Sequence, residues 1–204
     1  MDPSANLYVV AAPSGGGKTS LINALLQLDG KISLSISHTT REPRPGEIDG
    51  VHYHFITEAE FRELVEQSAF LEHATVFGHH YGTGRKAVED KLADGFDVML
   101  DIDWQGARQV RQSFPSCCSI FILPPSLQEL HRRLSGRGQD SRETIEDRMR
   151  QARSEMSHCG EFDFVVINDD FEAALEDLHS IIRRHRPART GQEKRIADLL
   201  AELL

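Results

Sequence analysis

Leu7-Tyr8-Val9-Val10-Ala11 runs directly into Ala12-Pro13-Ser14-Gly15-Gly16-Gly17-Lys18-Thr19, and Leu21, Ile22, Leu25 and Leu26 follow. A β-prone apolar run, a glycine cluster and apolar residues at helical spacing spell strand, tight loop, helix. The octet from Ala12 fits G-x-x-x-x-G-K-[ST] except that Ala12 stands at the first glycine, a difference of one methyl group. Consecutive glycines let backbone N–H groups converge on a phosphate without Cβ obstruction, and the helix opening near Lys18 turns its positive end to the anion. The Lys18 ammonium reaches β and γ oxygens, and Thr19 offers a hydroxyl to Mg²⁺. A glycine-rich turn that merely links strand to helix is the plainer alternative. The coincidence of lysine, hydroxyl residue and preceding strand favours nucleotide binding.

Outward from this loop, Thr39 to Gly50 carries prolines, glycines and alternating charges and reads as a structured loop. Thr57 with Glu60 has capping-box spacing and opens a helix to about Gln67, and Phe70 to Phe77 reads as strand. A helix from about Lys86 to Asp94, closed by Gly95, precedes the strand Val98-Met99-Leu100, which leads into Asp101. Ser119 to Leu123 reads as a strand stopped by Pro124-Pro125, and Ser126 with Glu129 caps the next helix. After an Arg-rich stretch from Arg132 to Arg153 come the strand Phe164 to Ile167 and a helix from Phe171 to about His185. Strands separated by helices predict an α/β fold with a parallel sheet flanked by helices, interrupted by an inserted lobe between Thr39 and Thr83. Ile196, Leu199, Leu200 and Leu203 follow i, i+3, i+4, i+7 spacing and predict a terminal amphipathic helix. It packs either on its own body or against another subunit, giving a homo-oligomer.

Composition narrows the function classes. The chain has 204 residues, and 32 acidic against 23 basic side chains leave a formal charge of −9, which argues against nucleic acid as a partner. Apolar runs such as Leu7 to Ala12 fall far short of the ~20 residues that cross a bilayer, and Met1 to Asn6 lacks the features of a signal peptide. No membrane association and a cytoplasmic location are expected. Cys117, Cys118 and Cys159 suggest neither a disulfide framework nor a zinc site. His52 and His54 form an H-x-H pair without further ligands nearby, so a structural strand face is preferred to a metal site.

A second long motif goes beyond the phosphate loop. Ser35-Ile36-Ser37-His38-Thr39-Thr40-Arg41-Glu42-Pro43-Arg44-Pro45-Gly46-Glu47, followed by Gly50 and Tyr53, resembles the signature of guanylate kinases. The resemblance continues through Phe70-Leu71-Glu72, Tyr81-Gly82-Thr83, Asp101-Ile102-Asp103-Trp104-Gln105-Gly106, Arg133-Leu134 with Gly136-Arg137-Gly138, and Asn168-Asp169-Asp170, covering roughly residues 5 to 185. It implies a P-loop NTPase-type parallel sheet with core segments at about 5–36, 84–131 and 158–186, a GMP-binding lobe at about 37–83, a helical lid at about 132–157 and an extension at about 190–204.

By that resemblance Arg41, Arg44, Tyr53 and Tyr81 grip the GMP phosphate, in keeping with the paired hydrogen bonds that guanidinium forks make to phosphate. Ser37, Glu72, Thr83 and Asp103 surround the base. A carboxylate at Glu72 accepts from guanine N1–H and the 2-amino group together, whereas adenine offers an acceptor at N1 and no 2-amino group. The expected reaction moves the ATP γ-phosphoryl group to GMP, and also dGMP, with Mg²⁺ as cofactor. Lys18, Arg41, Arg133, Arg137 and Arg148 would neutralise the moving charge, Asp101 would hold magnesium through water, and Asn168 would lie near adenine. Arg137 to Arg142 would belong to the mobile lid. Gly84 departs from the family pattern, which has a small polar residue there. Two alternatives stay open: a guanylate-kinase-like module that binds peptides, and a related P-loop kinase acting on a phosphorylated sugar.

Overall fold

The computed structural model describes residues 5–76, 78–136, 142–189 and 191–203, with backbone alone at residue 142. In chain order the elements are β1 (Leu7–Ala11), α1 (Lys18–Leu28), β2 (Ile32–Leu34), β3 (His38–Thr39), β4 (His54–Phe55), α2 (Glu58–Glu66), β5 (Phe70–Val76), β6 (His79–Gly84), α3 (Arg85–Ala93), β7 (Asp97–Asp101), α4 (Trp104–Ser113), β8 (Cys118–Leu123), α5 (Leu127–Ser135), α6 (Arg142–Met156), β9 (Phe164–Ile167), α7 (Phe171–Arg184) and α8 (Glu193–Leu203). The central sheet has the order β2-β7-β1-β8-β9, with β2 parallel to β7 and β8 parallel to β9. β1 is buried along its whole length, which explains its uninterrupted apolar sequence.

Two compact units divide the chain, residues 1–9 with 30–118 and residues 10–29 with 119–204. In the first, a four-stranded sheet β4-β3-β6-β5 fills the interval read as an inserted lobe. β5 and β6 pair antiparallel with Glu72 opposite Thr83, and a register shift lies between Phe70 and Glu72. A Cβ at Gly82 would crowd the Phe70 ring at 3.0 Å, so the small residue keeps that packing close.

Among the described residues four helix starts, those of α2, α4, α5 and α7, carry side-chain caps. Thr57 and Glu60 form a reciprocal capping box at α2, with Glu60 N–H donating to Thr57 Oγ1 at 3.2 Å and Thr57 N–H to Glu60 Oε2 at 2.7 Å. Asp103, Ser126 and Asp170 cap α4, α5 and α7. The start of α1 differs: its cap position is Gly17, no side chain caps it, and its first turn holds no acidic residue.

The second unit buries Phe121, Leu123, Leu130, Leu134, Met156 and Ile167 around α5 and α6. Leu199 and Leu203 of α8 join that core, and Arg153 Nη1 donates to the Leu203 carbonyl at 2.6 Å. The apolar face singled out by its spacing therefore packs on its own body. Leu203→Ala should cost about 2–4 kcal/mol, read as a lower melting temperature, and an unchanged melting curve would mean that α8 is frayed in solution. The cysteines are free thiols, and burial pushes Cys159 up to about 12.

Candidate functional site

The two groups of residues expected to act lie on the two units. In the second unit β1 delivers the chain into Ala12 and Pro13, and the Gly16 N–H closes a turn on the Pro13 carbonyl at 2.8 Å. Gly15 and Gly17 have φ of 86° and 92°, conformations that favour glycine. A Cβ at Gly15 would meet Leu130 Cδ1 at 3.0 Å, and one at Gly17 would fall onto Asn168 Nδ2. The glycines thus serve both the loop's curvature and its close packing.

Asn168, at the end of β9, donates through Nδ2 to the Gly16 carbonyl at 2.8 Å and is 5% exposed. Arg133 is engaged on the same loop: Nη1 reaches the Gly16 carbonyl at 3.4 Å, Nη2 the Asn168 carbonyl at 3.1 Å and Nε Glu129 Oε1 at 2.7 Å. Arg132 and Arg133 draw the Glu129 carboxyl down to about 2. Ser14 N–H donates to Glu155 Oε2 at 3.1 Å, a contact no motif announced. Lys18 and Thr19 open α1, with Thr19 exposed, and Arg148 lies half-buried on α6. Arg137 is outside the described residues.

In the first unit Glu72 is 4% exposed on β5 and accepts from Thr83 Oγ1 at 2.5 Å. Ser37 Oγ stands 3.5 Å from Thr83 Oγ1, at the outer edge of hydrogen bonding. Glu72 Oε2 also lies against Gly106 in the first turn of α4, so close that a Cβ there would overlap it. Asp103 faces the same turn in a capping role: its Oδ1 accepts from Gly106 N at 2.8 Å and its Oδ2 from Gln105 Nε2 at 3.0 Å. Gly106→Ala should therefore help α4 by about 1 kcal/mol of helix propensity while pushing the Glu72 carboxylate aside. The expected outcome is a GMP KM raised about tenfold or more, with no loss of melting temperature. Unchanged GMP kinetics would show that the carboxylate does not need that place.

Arg41, Tyr53 and Tyr81, expected at the acceptor phosphate, stand together. Arg41 places its guanidinium 5.4 Å from the Tyr53 ring centroid and 5.8 Å from that of Phe55, and Tyr53 meets Tyr81 edge-on at 5.9 Å. Arg41 Nη2 pairs with Glu47 Oε1 at 2.8 Å, and Glu47 Oε2 accepts from Arg44 N at 2.7 Å. Glu47 thus holds the Arg41 fork and the Arg44 backbone around one carboxylate, while the Arg44 residue is exposed. Burial, then the charge of Asp101, push the Tyr53 phenol up to about 12, so it stays a protonated donor at neutral pH. Asp101 itself ends β7, part-exposed. A Cβ at Gly84 would meet His38 Cε1 at 3.5 Å, so a larger residue fits there, and α3 starts without a side-chain cap.

His52 Nδ1 accepts from Ile48 N at 3.0 Å, and the His54 ring packs 4.7 Å from that of His38. Among the described residues no group of three or more His, Cys, Asp or Glu could hold a metal ion. Nor is any described helix long and apolar enough to cross a membrane.

The family model for guanylate kinase matches residues 4–185. This chain belongs to the guanylate kinase family. A guanylate kinase of Alkalilimnicola ehrlichii is 58% identical over 198 residues, covering 97% of this chain and 98% of that one. The guanylate kinase of Escherichia coli K12 is 56% identical over 200 residues, 97% of each chain. A crystal structure of guanylate kinase from Anaplasma phagocytophilum shares the fold at a TM-score of 0.75 and 34% identity, covering 97% of this chain and 94% of the other. Guanylate kinase membership thus spans both units and both groups of residues.

Proposed function

We propose that the chain transfers the γ-phosphoryl group of ATP to GMP, yielding ADP and GDP, and that dGMP is a second acceptor. The observation that carries this is the buried Glu72 carboxylate, aligned by Thr83 and Gly106 in a chain of the guanylate kinase family. A carboxylate is an acceptor at both oxygens, the chemistry that the N1–H and 2-amino donors of guanine call for. Ser37 and Thr83 add hydroxyls, and Asp103 acts at the base through the helix turn that it caps. Arg41, Arg44, Tyr53 and Tyr81 take the acceptor phosphate, exchanging the Glu47 carboxylate for a dianion that offers more acceptors to the same donors.

At the donor nucleotide, Ala12 to Thr19 supply backbone N–H groups, and Lys18 supplies a cation to the β and γ oxygens. Asn168 and Arg133 hold the Gly16 carbonyl and keep the loop open to an anion. Arg148 and Arg137 contribute positive charge as the phosphoryl group moves, from the segment that resembles a lid; closure there would exclude water as a competing acceptor.

Magnesium fits the oxygen donors at hand. Thr19 offers an exposed hydroxyl and Asp101 a part-exposed carboxylate, oxygen donors of the kind magnesium takes. When bound, Mg²⁺ neutralises charge on the phosphates. Thr19 would hold it directly and Asp101 through water.

A coupled assay for ADP release, with GMP, AMP and sugar phosphates offered in turn, tests the proposal. Turnover confined to GMP and dGMP is the expected result. Turnover with a sugar phosphate, or with no acceptor at all, would replace it by one of the two alternatives. A homo-oligomer through α8 would have to use residues other than Leu199 and Leu203, since these are buried in the chain's own core. Deleting the residues after Gly191 and measuring mass in solution decides that point. A cytoplasmic location accords with the bacterial relatives and with substrates made inside the cell.

A further inference from the structure

Arg189 lies beyond the span matched by the family, yet its guanidinium brackets Asn168 on both sides. Nη2 donates to the carbonyl of Ile167 at 2.9 Å, and Nη1 donates to Asp169 Oδ1 at 2.8 Å. The arginine is itself anchored on α7, where Asp177, 1% exposed, accepts from the Arg189 backbone N at 2.6 Å and from its Nε at 2.5 Å. Arg195 of α8 takes the second oxygen of Asp169 at 2.5 Å. Burial alone would raise the Asp169 carboxyl, but Arg189 and Arg195 hold it well below the usual carboxylate range.

Asn168 is the residue that this arrangement immobilises, and its Nδ2 already sits where a Gly17 Cβ would have to go while it holds the Gly16 carbonyl. The 2.8 Å hydrogen bond from Asn168 Nδ2 to the Gly16 carbonyl ties the turn after β9 to the phosphate loop, so the position of Ile167 to Asp169 bears on that of Gly16. We propose that Arg189 is a positioning residue of the donor-nucleotide site: it fixes the turn after β9 so that Asn168 keeps the phosphate loop in its anion-receiving form. The proposal rests on the loop being the ATP site. Lysine cannot replace the arginine fully, because one ammonium does not span Asp177, Asp169 and the Ile167 carbonyl with the geometry of a planar fork.

The test measures KM for ATP at saturating GMP, KM for GMP at saturating ATP, kcat and melting temperature, for wild type, Arg189→Lys and Arg189→Ala. The expected result is an ATP KM raised about tenfold in Arg189→Ala, an intermediate rise in Arg189→Lys, and an unchanged GMP KM. If Arg189→Ala does not fold, Arg189→Lys is judged by the same criterion. A lowered melting temperature with unchanged ATP KM makes Arg189 a structural staple only and overturns the proposal, as does an equal rise in both KM values. Calorimetric titration with Mg-ATP separates the two levels. Wild type that fails to bind ATP refutes the donor-site assignment itself, whereas wild type and variants that bind it equally well refute only the role of Arg189.

Discussion

Replacing Lys18 with alanine should lower kcat by about 10³-fold or more while leaving the melting temperature nearly unchanged. The reaction has no protein nucleophile, so its catalysis comes from alignment and from charge placed where the phosphoryl group develops it, and a single well-placed cation is worth about 10³- to 10⁵-fold in such sites. Lys18 is the first residue of α1, and the loop is held by several other contacts: the Gly16–Pro13 turn, the Asn168 and Arg133 contacts on the Gly16 carbonyl, and the buried β1. Folding should be indifferent to the change and chemistry should not. Steady-state kinetics with a thermal melt on the same sample checks both halves. Retention of more than about a tenth of kcat would remove Lys18 from the charge-neutralising set.

Glu72→Gln should erase most of the preference for GMP over AMP, a loss of up to about 10⁴-fold in the ratio of kcat/KM values, because sites built to hydrogen-bond a substrate reject analogues that lack the groups. The carboxylate accepts at both oxygens. Glutamine accepts at one and presents N–H at the other, which opposes the guanine 2-amino group and leaves a buried donor unpaired, at a cost of about 1–3 kcal/mol. The local structure should survive, since Thr83 Oγ1 can still donate to the amide oxygen. Kinetics with both nucleotides decide the matter. A variant with wild-type discrimination would show that another group reads the base edge.

Much of this was legible in the sequence for reasons that are local. The strand into the phosphate loop announces itself through an apolar run, three glycines and Lys18-Thr19, and α2 and α5 begin where Thr57 and Ser126 stand three residues before a glutamate. The strands β3, β4 and β6 were not apparent, since they are short or carry glycine, histidine and tyrosine without clean alternation. They form by pairing with β5 and with each other, an interaction between distant segments that no local pattern encodes. The helix α4 was also missed; Asp103 followed by Ala107 and Val110 was its available signal. Glu47, Gly106 and Glu155 stand in or near readable motifs, but their contacts with Arg41, Glu72 and Ser14 appear only in three dimensions. The Arg189 bracket lies further still from local reading, as it joins Ile167, Asp169 and Asp177 to a segment after the family's span.

The buried Glu72 carboxylate is expected to select guanine before any phosphoryl group moves. Calorimetric titration of GMP and AMP into the protein without ATP tests it most directly. The account predicts saturable, one-site binding of GMP that Glu72→Gln weakens, with AMP binding too weak to detect at the same concentrations. Equal affinity for the two nucleotides, or no heat of binding with GMP, would contradict it.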